Sequence, residues 1–130
     1  MDLQFKLKDV FEVDLYYGFY DIYVLGGFDV QVNDDFFVEI LDLKTNESIL
    51  LREESFKTRD YKKGNRAVKF FSFQITEKSK YKISVHNYED MTVFYSMLGS
   101  NPFSILNLLK RLYGIKRKQL LLDEIEILIN

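Results

Sequence analysis

The chain has 130 residues, a size for one domain, residues 1–130, whose core buries roughly two thirds of the surface its unfolded form exposes. Hydrophobic residues at 47%, aromatic residues at 16% and charged residues at 29% exclude a disordered chain, and no apolar run approaches the roughly 18 residues of a membrane-spanning helix. The absence of cysteine excludes a disulfide framework, a cysteine nucleophile and a thiolate metal site.

Leu3, Phe5 and Leu7 alternate with Gln4, Lys6 and Lys8, and Phe11, Val13 and Leu15 alternate with Glu12 and Asp14. Side chains change face at every residue of a strand, so each run predicts a strand with one apolar face. Asp9-Val10 marks either a bend between them or a bulge in one long strand. After a break at Tyr16 to Gly18, residues 19–25 form a third run, with Ile22 and Val24 on one face and Asp21 and Tyr23 on the other. Gly26-Gly27 predicts a two-residue hairpin loop, since primed turns need positive φ. Phe28, Val30 and Val32 continue the pattern, and Asn33-Asp34 signals a turn.

Residues 35–43, DFFVEILDL, are apolar on both faces in their middle and predict a central strand. Residues 44–47 read as a hairpin connection into 48–52. Residues 53–66, EESFKTRDYKKGNR, read as a charged loop with Gly64-Asn65 at its tip. Three alternating runs follow: Phe71, Phe73 and Ile75; Tyr81, Ile83 and Val85; Met91, Val93 and Tyr95. Short polar breaks separate them, which predicts an antiparallel meander packed on one side. Asn101, Pro102 and Gly114 supply cap, first-turn and stop signals for one short helix over 102–113. Residues 119–129 predict a closing strand, with Ile125, Ile127 and Ile129 on one face.

About nine strands and one helix result, with turn signals at sandwich-like spacing and no βαβ alternation. The expected fold is all-β: an antiparallel two-sheet β-sandwich, jelly-roll-like or immunoglobulin-like in outline.

Charge is distributed unevenly. Residues 1–47 hold 11 acidic and 3 basic side chains, and residues 48–122 hold 6 and 15. Such blocks produce oppositely charged surfaces, unless strands from the two blocks interleave and mix them. The opening MDLQFKLKDVF lacks the basic stretch, apolar block and cleavage site of a signal peptide. With Met1 as the native start, the expected location is cytoplasmic.

Catalytic constellations are sparse. His86 is the only histidine, at a strand end, and a metal there would need carboxylates such as Glu89 and Asp90. No serine is expected to act from a G-x-S-x-G elbow or an S-x-x-K motif, and Gly26-Gly27 lacks the helix and lysine of a phosphate loop. Asp29, Asn33, Asp34 and Asp35 cluster at one turn, where calcium ligands or ordinary turn formers both fit. No enzyme, cofactor or metal is therefore expected. Two features favour binding instead. Tyr16, Tyr17, Tyr20 and Tyr23 crowd one segment with Phe19, more than alternation can bury. Lys57, Arg59, Tyr61, Lys62, Lys63 and Arg66 interleave cations with an aromatic ring, a pattern that meets phosphates or acidic surfaces. The net charge of −2 disfavours nucleic acid.

Phe71, Phe73, Ile75, Tyr81, Ile83, Val85 and Asn87 form an F-x-F-x-I, turn, Y-x-I-x-V-x-N pattern. It resembles the paired strands of Golgi-dynamics-type and pre-peptidase C-terminal sandwich domains, with Lys80 where those have glycine. The resemblance spans residues 71–87, implies a non-catalytic interaction domain and transfers no site residue. The expected function is a non-enzymatic module that binds a protein partner or copies of itself. The alternative is a small-ligand or carbohydrate module using residues 16–23 and 53–66.

Overall fold

The computed structural model describes residues 2–54, 57–94 and 119–130. These residues form twelve strands and one 3-10 turn (Leu122–Glu124). The strands are β1 (Leu3–Lys6), β2 (Phe11–Leu15), β3 (Gly18–Leu25), β4 (Asp29–Gln31), β5 (Phe37–Asp42) and β6 (Glu47–Ser48). They continue with β7 (Arg52–Glu53), β8 (Arg59–Lys62), β9 (Asn65–Ile75), β10 (Ser79–His86), β11 (Thr92–Phe94) and β12 (Glu126–Ile129). The helix expected over 102–113 and Tyr95 lie outside the described residues.

The fold is all-β and antiparallel. One sheet runs β1-β12-β3-β9-β7, with β8 also paired to β9; a second runs β2-β10-β5-β6; β4 and β11 form a small third. The two large sheets share one core. Ile22, Val24, Phe71, Phe73, Ile75, Ile127 and Ile129 face Leu15, Val38, Ile40, Tyr81, Ile83 and Val85 across it. Alternation explains why these residues point inward; burying each large one contributes roughly 1.5–3 kcal/mol.

The strand periods are as expected, but several partners are not. The three runs between 67 and 95 do not form a meander. β9 lies in the first sheet, β10 in the second, and β11 pairs with β4. The link between β9 and β10 is thus an arch over the core rather than a hairpin. Both connections keep the apolar side chains on one side, so alternation alone does not separate them. Gly26-Gly27 is likewise no hairpin loop. β3 pairs with β12 and β9, and the chain leaves the sheet at Gly26, whose φ is 114° and whose N–H donates to the Arg66 carbonyl at 2.8 Å.

Residues 59–66 of the expected charged loop are a hairpin rather than a loop. β8 and β9 form a tight hairpin, Lys62 opposite Asn65, with Lys63 and Gly64 at the tip. Both tip residues have positive φ, 55° and 76°, the geometry of a primed turn, one residue earlier than expected. A bulge between Ile22 and Tyr23 sets Phe70 apart from the ladder, which lets Phe70 and Phe71 both be buried against Phe36. The closing strand is shorter than expected and central: β12 lies between β1 and β3, with Leu3 opposite Ile129.

Candidate interaction surfaces

The two expected halves of a binding surface lie at opposite ends of the six-stranded sheet. Gly18 pairs with Ile75 at one end of β3, and Leu25 pairs with Ala67 at the other. Seven residues of strand separate them by roughly 23 Å. Tyr16, Tyr17, Tyr20 and Phe19 belong to the first end; Tyr61, Lys62, Lys63 and Arg66 belong to the second.

At the second end, the cations engage their own chain. Lys57 Nζ donates to the Glu54 carbonyl at 2.7 Å and lies over the Phe70 ring. Arg59 Nε donates to the Phe28 carbonyl at 2.9 Å, the Arg66 guanidinium stacks on the Phe28 ring, and Tyr61 meets that ring edge-on. Lys62 pairs with Asp60 and covers the Tyr23 ring. Lys63 Nζ bonds Asp2 at 2.7 Å, and this bond, against the opposing effect of burial, holds the Asp2 carboxyl below its usual range. The segment clamps Phe28 and seals Tyr23. Tyr23 is only 5% exposed, packed with Leu25, Ala67 and Leu128 on the outward face of the sheet. Its expected place on an accessible surface is corrected accordingly.

The first end is different. Tyr20 stacks on Phe73 and donates to the Tyr16 carbonyl at 2.9 Å, so it buttresses rather than presents. Tyr16, Tyr17 and Phe19 are 53%, 70% and 77% exposed, and Leu50, from the crossing between β6 and β7, is 91% exposed. Leu50 is an element of this rim that the tyrosine count did not signal. Phe19 and Leu50 border an open groove of about 340 Å³ floored by Asp21, Arg52, Ser72 and Gln74. Within it Lys69 bonds Asp21 at 3.1 Å and Glu54 at 3.4 Å. Burial pulls the Lys69 pKa down, but the two carboxylates outweigh it and leave it raised. Arg52 has no side-chain partner among the described residues, so it is the open charge of the groove.

The other candidate sites are occupied by structure. His86 Nε2 lies 2.8 Å from the buried Ser84 Oγ, and its ring stacks on Phe37 at 4.8 Å. No carboxylate bonds His86 among the described residues. Ser79-Lys80-Tyr81-Lys82 has the serine–lysine spacing of an acylating S-x-x-K motif. On a strand, however, positions three apart face opposite ways, and Ser79 Oγ donates to Asp42 at 2.8 Å. Asn33 closes its own turn, its Oδ1 accepting the Asp35 N–H at 2.7 Å. Its Nδ2 donates to Asp90, while Asn87 donates to the Asp35 carbonyl, which ties two loops together. Among the described residues, no three histidine, aspartate or glutamate side chains converge as metal ligands, and no helix is long and apolar enough to cross a membrane.

No protein-family model, curated protein or solved structure matches the chain.

Proposed function

We propose that this β-sandwich is a non-catalytic interaction module that binds a protein partner or copies of itself, with the foreign partner docking at the first end of the six-stranded sheet. The observation that carries this reading is the pair Phe19 and Leu50, both more than half exposed and bordering one groove, with Tyr16 and Tyr17 exposed in the chain just before β3. Clustered exposed apolar side chains mark interaction sites, and aromatic rings are enriched in interface cores. Arg52 sets the chemistry of the partner: an apolar segment carrying an acidic residue, the apolar part meeting Phe19 and Leu50 and the carboxylate meeting the guanidinium.

The test is affinity capture on the full chain. Proteins retained by the wild type should be lost with Phe19→Ser plus Leu50→Ser and weakened by Arg52→Glu, while Tyr61→Ser at the far end keeps them. An unchanged set across all variants would refute the assignment.

A second reading rests on the groove itself. Its volume of about 340 Å³ suits a small ligand, and Ser72, Gln74 and Asp21 offer polar partners beside the Phe19 ring, as a sugar requires. Of the expected ligand segment 53–66, Glu54 lines this groove, while residues 59–66 form the hairpin at the far end of the sheet. Absence of signal on a glycan array would remove this reading and leave the first intact.

A further inference from the structure

The groove at the first end of the six-stranded sheet is a trough along β9. Phe71, Phe73 and Ile75 point into the core, so Ser72 and Gln74 point outward and line the trough between its walls. β3 and β7 flank β9, and both run antiparallel to it. Phe19 lies opposite Gln74, while Asp21 and Arg52 both lie opposite Ser72. Leu50 precedes Arg52 by two residues, as Phe19 precedes Asp21. The trough therefore has an apolar station between Phe19 and Leu50 and, next along the strands, a charged station between Asp21 and Arg52.

Charge defines what the second station lacks. Lys69 answers both acids of the trough, bonding Asp21 at 3.1 Å and Glu54 at 3.4 Å. No acid answers the exposed Arg52 among the described residues. A complementary ligand thus brings one apolar group to Phe19 and Leu50 and one carboxylate to Arg52.

We propose that the trough takes an extended segment of the partner protein, laid along β9, with an apolar side chain at one position and aspartate or glutamate two positions away. This mode rests on the docking proposed above and adds the conformation and spacing of the docked segment. Side chains of an extended chain return to one face at every second residue, roughly 6.8 Å apart. That is the interval between Gln74 and Ser72 themselves, and so between the two stations. An apolar residue and an acid at this spacing reach both stations together, with the residue between them turned to solvent. Adjacent residues would point to opposite faces.

Width excludes a helix. A helix presents neighbours three or four positions apart, but with its side chains it is roughly 10–12 Å across. The walls of the trough rise from β3 and β7, whose backbones lie two strand spacings apart, roughly 9.6 Å. A single extended chain occupies about one such spacing and fits between them. The Ser72 hydroxyl and the Gln74 amide then face its backbone and offer partners to N–H and C=O groups that leave water on docking.

A peptide array probed with the full chain tests this. Short capped peptides carry one Phe and one Glu on a Ser-Gly background, set adjacent or two, three or four positions apart, in both orders. The wild type should bind the two-apart set about tenfold more tightly than the others, the gain expected from one charge-assisted contact. Arg52→Glu should shift the preference to peptides with Lys in place of Glu at the same spacing. Tyr61→Ser should change nothing. Arg52 is exposed, and circular dichroism verifies that its variant folds. A preference for three or four positions, equal binding at all spacings, or no binding to any peptide would overturn the extended mode. Those results leave the docking reading standing wherever Phe19→Ser plus Leu50→Ser still abolishes capture of proteins from a lysate. Capture that survives this double variant would remove both.

Discussion

Gly64 and Gly26 both hold positive φ, 76° and 114°, for different reasons. At Gly64 an added Cβ would meet nothing within 4 Å, so only the backbone conformation demands glycine. At Gly26 the added carbon would also run into the Leu120 side chain. Gly64→Ala should therefore cost about 1 kcal/mol and Gly26→Ala about 2–4 kcal/mol, read from urea unfolding curves. Equal losses would mean that Leu120 yields freely. Both glycines were legible as turn signals. That one closes a hairpin and the other opens an exit between sheets was not, because glycine reports the dihedral angle rather than where the chain goes next.

At the scale of elements, face was legible and partner was not. Phe71, Phe73 and Ile75 do point inward, as do Tyr81, Ile83 and Val85, but they look at one another across the core instead of lying side by side. A period of two encodes orientation only; the partner depends on long-range packing. Asp42 shows how one side chain fixes such a partner. It ends β5, its Oδ1 accepts the Lys44 N–H at 2.9 Å within the turn to β6, and it takes the Ser79 hydroxyl from the start of β10. The Lys44 bond, opposed by burial and aided by Ser79, holds its carboxyl below the ordinary value of 3.8. A depressed carboxyl pKa stabilises the fold above the unfolded value and loses that contribution as pH falls through the folded one. The stability gap between the wild type and Asp42→Asn should thus be constant from about pH 5 to 7 and shrink progressively below 3.8. A gap independent of pH would show that the charge is irrelevant and only the hydrogen bonds count.

Over the described residues of the molecule, the acidic first third and the basic middle do not separate into two charged surfaces. β2 brings Glu12 and Asp14 against Lys82 and Lys80, Asp21 meets Lys69, and Asp2 meets Lys63. Interleaving of strands distant in sequence mixes the blocks, which a linear charge count does not reveal. The expected consequence is that the full chain gives no mobility shift with single- or double-stranded nucleic acid at low salt; a shift that fades steeply with salt would contradict it. The rim of Tyr16, Tyr17 and Phe19 was legible as surplus aromatics, whereas Leu50 joined it only through the crossing between sheets. The pairing of β1 with β12 also governs how the chain reaches this state. Leu3 finds its neighbour only once Ile129 exists, so synthesis leaves β1 waiting for almost the whole length of the chain, and β3 holds one side open for the same strand. Closure of so long a loop is slow, and the six-stranded sheet should complete only after residues 126–129 have left the ribosome, so the edges of β1 and β3 stay exposed during that interval.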